Sequence, residues 1–190
     1  MKKGVNMVSE IIVIDVETTG IKPENSEIIG VSAVLLQDNV FTGFSFETWC
    51  EPETRISDEV SVLLNKKPEF FEDRPKILET VRNLELFVNE TVLVAKNPEF
   101  CSEFLKNAGF SRCMEITDVL DIIRKNIDGM APYDYDDFNW TMWNEPLKRI
   151  MPCCLHLDDD FDTVLIAKLI EISSNSNLRS QLESAGWFDD

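Results

Sequence analysis

Apolar positions form short unbroken blocks along the N-terminal part of the chain and take on helical spacing after it. Ile11–Asp15 is a continuous apolar run ending in a carboxylate, the pattern of a strand buried on both faces. Turn residues follow at Thr19-Gly20 and at Pro23-Glu24-Asn25-Ser26. Ile28–Leu36 reads as a second strand, Asp38-Asn39 as a tight turn, and Val40–Thr48 as a third strand. Such short connections predict an antiparallel meander. Ser57 is then a plausible N-cap for a short helix with Val60, Leu63 and Leu64 on one side. Pro75 suits the first turn of a longer helix reaching about Asn89, with Ile77, Leu78, Val81, Leu84, Phe87 and Val88 as its apolar positions. Val92–Ala95 reads as a fourth strand, Glu99–Asn107 as a helix closed by Gly109, and Met114–Ile116 as a fifth strand. Asp118–Lys125, Trp143–Ile150 and Phe161–Ile172 have helical spacing.

A meander followed by alternating strands and helices predicts an α/β domain on one mixed five-stranded sheet. With 190 residues, 44% of them hydrophobic, the chain can build one sizeable core. The expected division is a tail over 1–9, a single domain over 10–175 and a C-terminal extension over 176–190. No apolar run approaches the length of a bilayer span, and MKKGVNMVSE lacks an apolar signal stretch, so no membrane association is expected. The five cysteines (Cys50, Cys101, Cys113, Cys153 and Cys154) show no CxxC spacing. They fit a reducing, cytoplasmic compartment, with most of the thiols acting as small buried hydrophobes.

Charge changes the picture more than composition does. Eighteen Lys and Arg against 35 Asp and Glu leave a net −17, which opposes approach to a polyanion. Two bound divalent cations would reduce this only to −13. Short substrates or a basic protein partner therefore gain weight over long nucleic acid. Lys66-Lys67 and Lys148-Arg149 are isolated pairs rather than a basic stripe. Tyr133, Tyr135, Trp140 and Trp143 could stack on bases, but they also suit a core or a lid, and Asp134, Asp136 and Asp137 beside them would repel phosphates.

The chemistry is concentrated in Asp15-Val16-Glu17-Thr18-Thr19-Gly20. Alternation along a strand puts Asp15 and Glu17 on one face, where two carboxylates can share a site for Mg²⁺ or Mn²⁺. The bland alternative is a polar strand end turning into solvent. IIVIDVETTG resembles the first motif of the DEDDh 3′–5′ exonucleases, RNase H-like proteins that include RNase T and the epsilon proofreading subunit of bacterial DNA polymerase III. That resemblance implies two metal ions held by four carboxylates, with a His as general base. It spans about Ile11 to Ile172 and is sharp only at this motif.

The family's second motif, Ala-His-Asn-x-x-Phe-Asp, is matched by Ala95-Lys96-Asn97-Pro98-Glu99-Phe100-Cys101. Asn97 and Phe100 align, but Lys96 stands where His is common, and Cys101 stands where the metal-binding Asp belongs. A thiol is a soft ligand, poorly matched to Mg²⁺. Either Cys101 merely packs under the sheet, or it marks a lost ligand for which Glu99 or Glu103 compensates. Asp118, in Glu115-Ile116-Thr117-Asp118, suits a helix cap. The third motif pairs a His with an Asp five residues later; here the single histidine, His156, precedes Asp160 by four residues and Asp162 by six. Asp162 is preferred because it shares a helical face with Ile166 and Leu169, and Asp160 remains its competitor. A loop histidine before a solvated helix start is the bland alternative.

The resemblance thus implies Asp15, Glu17, His156 and Asp162 as the catalytic set, with Asp15, Glu17 and Asp162 as metal ligands. It also implies substrate contacts at Thr18, Thr19, Asn97 and Phe100, and hydrolysis at single-stranded DNA or RNA 3′ ends or on short oligonucleotides. The alternative is a catalytically impaired exonuclease-fold protein that docks on a basic partner through its acidic surface.

Overall fold

The computed structural model describes residues 9–112, 115–126, 163–175 and 180. Five strands are present among them: β1 (Glu10–Thr18), β2 (Ile28–Gln37), β3 (Val40–Trp49), β4 (Val92–Ala95) and β5 (Ile116–Asp118). They form one sheet in the order β3-β2-β1-β4-β5. β1 and β2, and β2 and β3, pair antiparallel, whereas β4 pairs parallel with β1 and β5 parallel with β4. This is the expected meander extended by two parallel strands, an RNase H-like arrangement.

Central position explains the sequence of β1. With neighbours on both edges and helices over both faces, Ile11 to Ile14 are all buried, so the run shows no alternation. On one face Ile12, Ile14 and Val16 join Val31 and Ala33 of β2 and Leu93 and Ala95 of β4. Helices α2 (Ile77–Val88) and α3 (Pro98–Asn107) cover that face with Val81, Leu84, Val88, Phe104 and Leu105. Over the other face lies α5 (Thr163–Ser174), which touches β1, β2 and β3 and also packs on α4 (Val119–Asn126). Its buried Ile166, Ala167 and Ile170 recur at helical spacing. Each such aliphatic side chain, fully buried, contributes about 1.5–3 kcal/mol.

Several boundaries differ from the sequence expectation. β5 begins at Ile116, not Met114, and extends to Asp118, whose partner is Ala95. The parallel ladder with β4 sets this register, which the short apolar cue could not. Pro75 lies two residues before α2 rather than in its first turn, and Lys76 is the N-cap. A 3₁₀ turn at Pro68–Phe71 was not anticipated. It completes a second cluster, Ile29, Trp49, Ile56, Leu64 and Phe71, with the Lys66 ammonium 4.7 Å over the rings of Trp49 and Phe70. The Asp38-Asn39 turn is confirmed, both residues having positive φ as a two-residue hairpin turn requires. Ser57 caps α1 (Asp58–Leu63) by accepting from the Val60 N–H. The proposed helix Trp143–Ile150 and the four aromatics near it lie outside the described residues.

Candidate active site

β1 outruns its parallel neighbour. Its ladder with β4 stops at Val13, while its ladder with β2 continues to Thr18. Asp15 and Glu17 sit on that extension, half-buried. Asp15 pairs with Ser32, and residues directly opposite on antiparallel strands share a face. The Ser32 hydroxyl is 2.8 Å from that of Thr163, the first residue of α5, so both carboxylates belong to the face that α5 covers. Glu17 is opposite Gly30, which has no side chain to crowd it, and the register slips immediately afterwards between Glu17 and Thr18. Bulges of this kind commonly re-aim side chains beside functional sites.

The next three residues turn tightly. The Thr18 hydroxyl donates to the Gly20 carbonyl at 2.7 Å, and the Thr19 hydroxyl accepts the Glu27 N–H at 2.9 Å. Both threonine side chains thus shape the turn itself. A Cβ on Gly20 would fall 2.7 Å from Ser26 Oγ, so a larger residue there requires the serine hydroxyl to move. Glu27 anchors a second loop, accepting the N–H of Glu53 at 2.7 Å, the N–H of Thr54 at 2.9 Å and the Thr54 hydroxyl. Partial burial acts to raise its carboxyl, but these hydrogen bonds and the Lys76 charge outweigh it and hold the group below its ordinary value. Sequence reasoning missed this clamp, because a lone Glu before a strand carries no signal of its partners.

The second-motif segment meets the first. Asn97 caps α3 by accepting the Phe100 N–H at 3.2 Å, and Pro98 occupies the first helical position. The Phe100 ring packs on Phe104 at 4.6 Å. Cys101, only 2% exposed, lies in the core cluster beside the end of β1. The Val16 N–H that approaches Asp15 Oδ1 at 3.0 Å also faces its sulfur. Burial first, and then the negative charges of Asp15 and Glu17, push this thiol far above its ordinary range, so it is protonated at neutral pH. Cys101 thus packs in the core, as the first of its two sequence readings has it. Glu99 and Glu103, the other carboxylates of α3, are exposed.

Asp15 and Glu17 offer hard oxygen donors suited to Mg²⁺ or Mn²⁺. Cys101 does not fit a second hard cation, and the described residues contain no group of three or more ligating side chains able to hold a metal. His156, Asp160 and Asp162 lie outside the described residues. Asp118, expected as a cap, ends β5 immediately before α4.

Comparison with known proteins defines the class. Residues 12–141 match the RNase_T exonuclease family model, and the chain belongs to this exonuclease family, of DEDDh type. It is 30% identical over 131 residues to a PolC-type DNA polymerase III from Caldanaerobacter subterraneus subsp. tengcongensis, covering 67% of this chain and 9% of that protein. It is 35% identical over 99 residues to the DNA polymerase III epsilon subunit of Treponema pallidum, covering 52% of this chain and 45% of that one. Among solved structures, an exonuclease I–SSB C-terminus complex superposes with TM-score 0.62 at 13% identity, covering 94% of this chain and 44% of that one. The zinc-bound E. coli exonuclease I–ssDNA complex gives 0.59 at 12% identity, covering 94% and 43%. The chain spans less than half the length of each of these proteins.

Proposed function

We propose that the chain is a metal-dependent 3′–5′ exonuclease acting on single-stranded or short nucleic-acid ends, with turnover weakened at its second motif. The observation that carries this reading is the convergence of the first-motif carboxylates with the second-motif helix. α3 packs on β1, and Cys101, the position that family resemblance assigns to a further ligand, shares a core cluster with Val16, which lies between Asp15 and Glu17 in the chain. A single-stranded DNA complex among the structural neighbours makes such a strand the natural first substrate to test.

Asp15 and Glu17 would hold Mg²⁺ or Mn²⁺, which supplies charge neutralisation at the scissile phosphate when bound. His156 would take the proton of the attacking water, a task suited to its near-neutral pKa. Asp162, with Asp160 as the alternative, would supply the third-motif carboxylate. Thr18, Thr19, Asn97 and Phe100 would shape the wall around the substrate's 3′ end.

The rival reading, an impaired nuclease-fold protein that docks on a basic partner, draws on the same Cys101 replacement and on the −17 charge. A degradation assay separates the two. With 5′-labelled single-stranded DNA and RNA oligonucleotides and Mg²⁺ or Mn²⁺, the nuclease reading expects ladders shortened from the 3′ end. Asp15→Ala should lower that activity at least about a hundredfold. No degradation by the wild-type chain, or equal degradation by Asp15→Ala, would reject it.

A further inference from the structure

Resting on the assignment of Asp15 and Glu17 as metal ligands, we infer that Cys101 limits this site to one divalent cation where the family resemblance implies two. Two observations lead there. First, α3 packs on β1, and Cys101, at the position the family resemblance assigns to a metal-binding Asp, shares a core cluster with Val16 between Asp15 and Glu17 in the chain, whereas Glu99 and Glu103 are exposed. Second, its sulfur is buried with Val16, Phe104 and Leu105 in the core cluster, and a soft sulfur enclosed among apolar side chains is a poor donor to Mg²⁺ or Mn²⁺.

A carboxylate at this position would behave in the opposite way. It would be a hard donor already ionised at neutral pH, and cation binding would relieve its repulsion from Asp15 and Glu17. Cys101→Asp should therefore create the missing half of the site and make the fold more dependent on metal. Cys101→Asn supplies a hard oxygen without the charge and guards against a variant that fails to fold.

Mn²⁺ titration of the full chain, followed by electron paramagnetic resonance and calorimetry, gives the stoichiometry directly. Wild type should bind one Mn²⁺ and Cys101→Asp two. Metal-free Cys101→Asp should melt below wild type and gain more in melting temperature from Mn²⁺, and its 3′-end hydrolysis should rise at least tenfold, on the scale of one positioned electrostatic group. Two Mn²⁺ on wild type overturn the inference, as does a single Mn²⁺ on both folded variants. Should Cys101→Asp not fold, a second Mn²⁺ on Cys101→Asn supports the inference and its absence overturns it. A wild-type stoichiometry that survives Asp15→Ala instead removes the assignment on which the inference rests, and no Mn²⁺ on wild type removes both.

Discussion

Ser32 and Thr163 offer the sharpest test of how the last helix is held over the site. They are 131 positions apart, both fully buried, and joined by a single hydroxyl–hydroxyl hydrogen bond of 2.8 Å. Ser32→Ala leaves the Thr163 hydroxyl in a water-excluded place without its partner, which costs about 1–3 kcal/mol. Thr163→Val preserves shape and leaves the Ser32 hydroxyl stranded, with a similar cost. The double variant removes both polar groups and should be close to neutral. With the double variant near neutral, the pair should show a coupling equal to the two single costs together, about 2–6 kcal/mol, in a double-mutant cycle measured by urea denaturation. In a chain of this length each single variant should lose about 2–12 °C in melting temperature. Amide exchange in α5 should speed up in the single variants and return toward wild type in the double. Additivity within about 0.3 kcal/mol would refute the reasoning, because two groups that satisfy each other cannot be lost independently.

Glu27→Gln should cost about 1 kcal/mol at neutral pH, discounted for partial exposure. Because the folded carboxyl lies below its ordinary 4.5, this contribution is present above 4.5 and is lost as pH falls through the lowered folded value. A Glu27→Gln penalty equal at about pH 3 and about pH 7 would contradict the clamp. Burial raises the Cys50 thiol, against the lowering effect of the Thr80 hydroxyl it meets at 3.3 Å. Its stabilising contribution is full below the ordinary thiol value of 9.0 and falls as pH rises beyond it. Cys50→Ala should make the alkaline loss shallower by up to about 1.4 kcal/mol per pH unit, read from melting curves across that range; an unchanged slope would count against it. Gly20→Ala should destabilise the turn after β1, and Ser26→Ala should relieve most of that loss by removing the atom a Cβ would meet at 2.7 Å. Equal destabilisation in both backgrounds would show that the contact is not the cause.

The fold was legible because its strongest signals are local. A continuous apolar run and an Asp-Asn turn each report their own neighbourhood, and β1 to β3 follow from them. β5 was displaced because three residues of strand carry almost no periodicity, and its register comes from Leu93, Val94 and Ala95. At the site, alternation correctly paired Asp15 with Glu17 on one face. What the sequence could not display were contacts closed over long separations, such as Ser32 with Thr163 and Glu27 with the loop at Glu53-Thr54. Cys101 falls between these cases. Its motif position was readable, but its burial together with its proximity to both carboxylates emerges only when α3 is packed against β1.

That packing also explains why the replacement is compatible with the fold. An aspartate at position 101 would crowd a third carboxylate against Asp15 and Glu17 in a mostly desolvated place, a strain that a bound cation must relieve. Cysteine removes the charge and fills the space as a small hydrophobe among Val16, Phe104 and Leu105, so the metal-free fold gains what the metal site loses. A chain carrying −17 has particular reason to shed a buried negative charge, since its surface already repels itself. On the proposed function the same trade would weaken the attraction for a second cation and with it the pull on a phosphate near Asp15 and Glu17. Stability without metal would then be set against capacity for turnover at one side chain, which makes position 101 the place to separate the two functional readings.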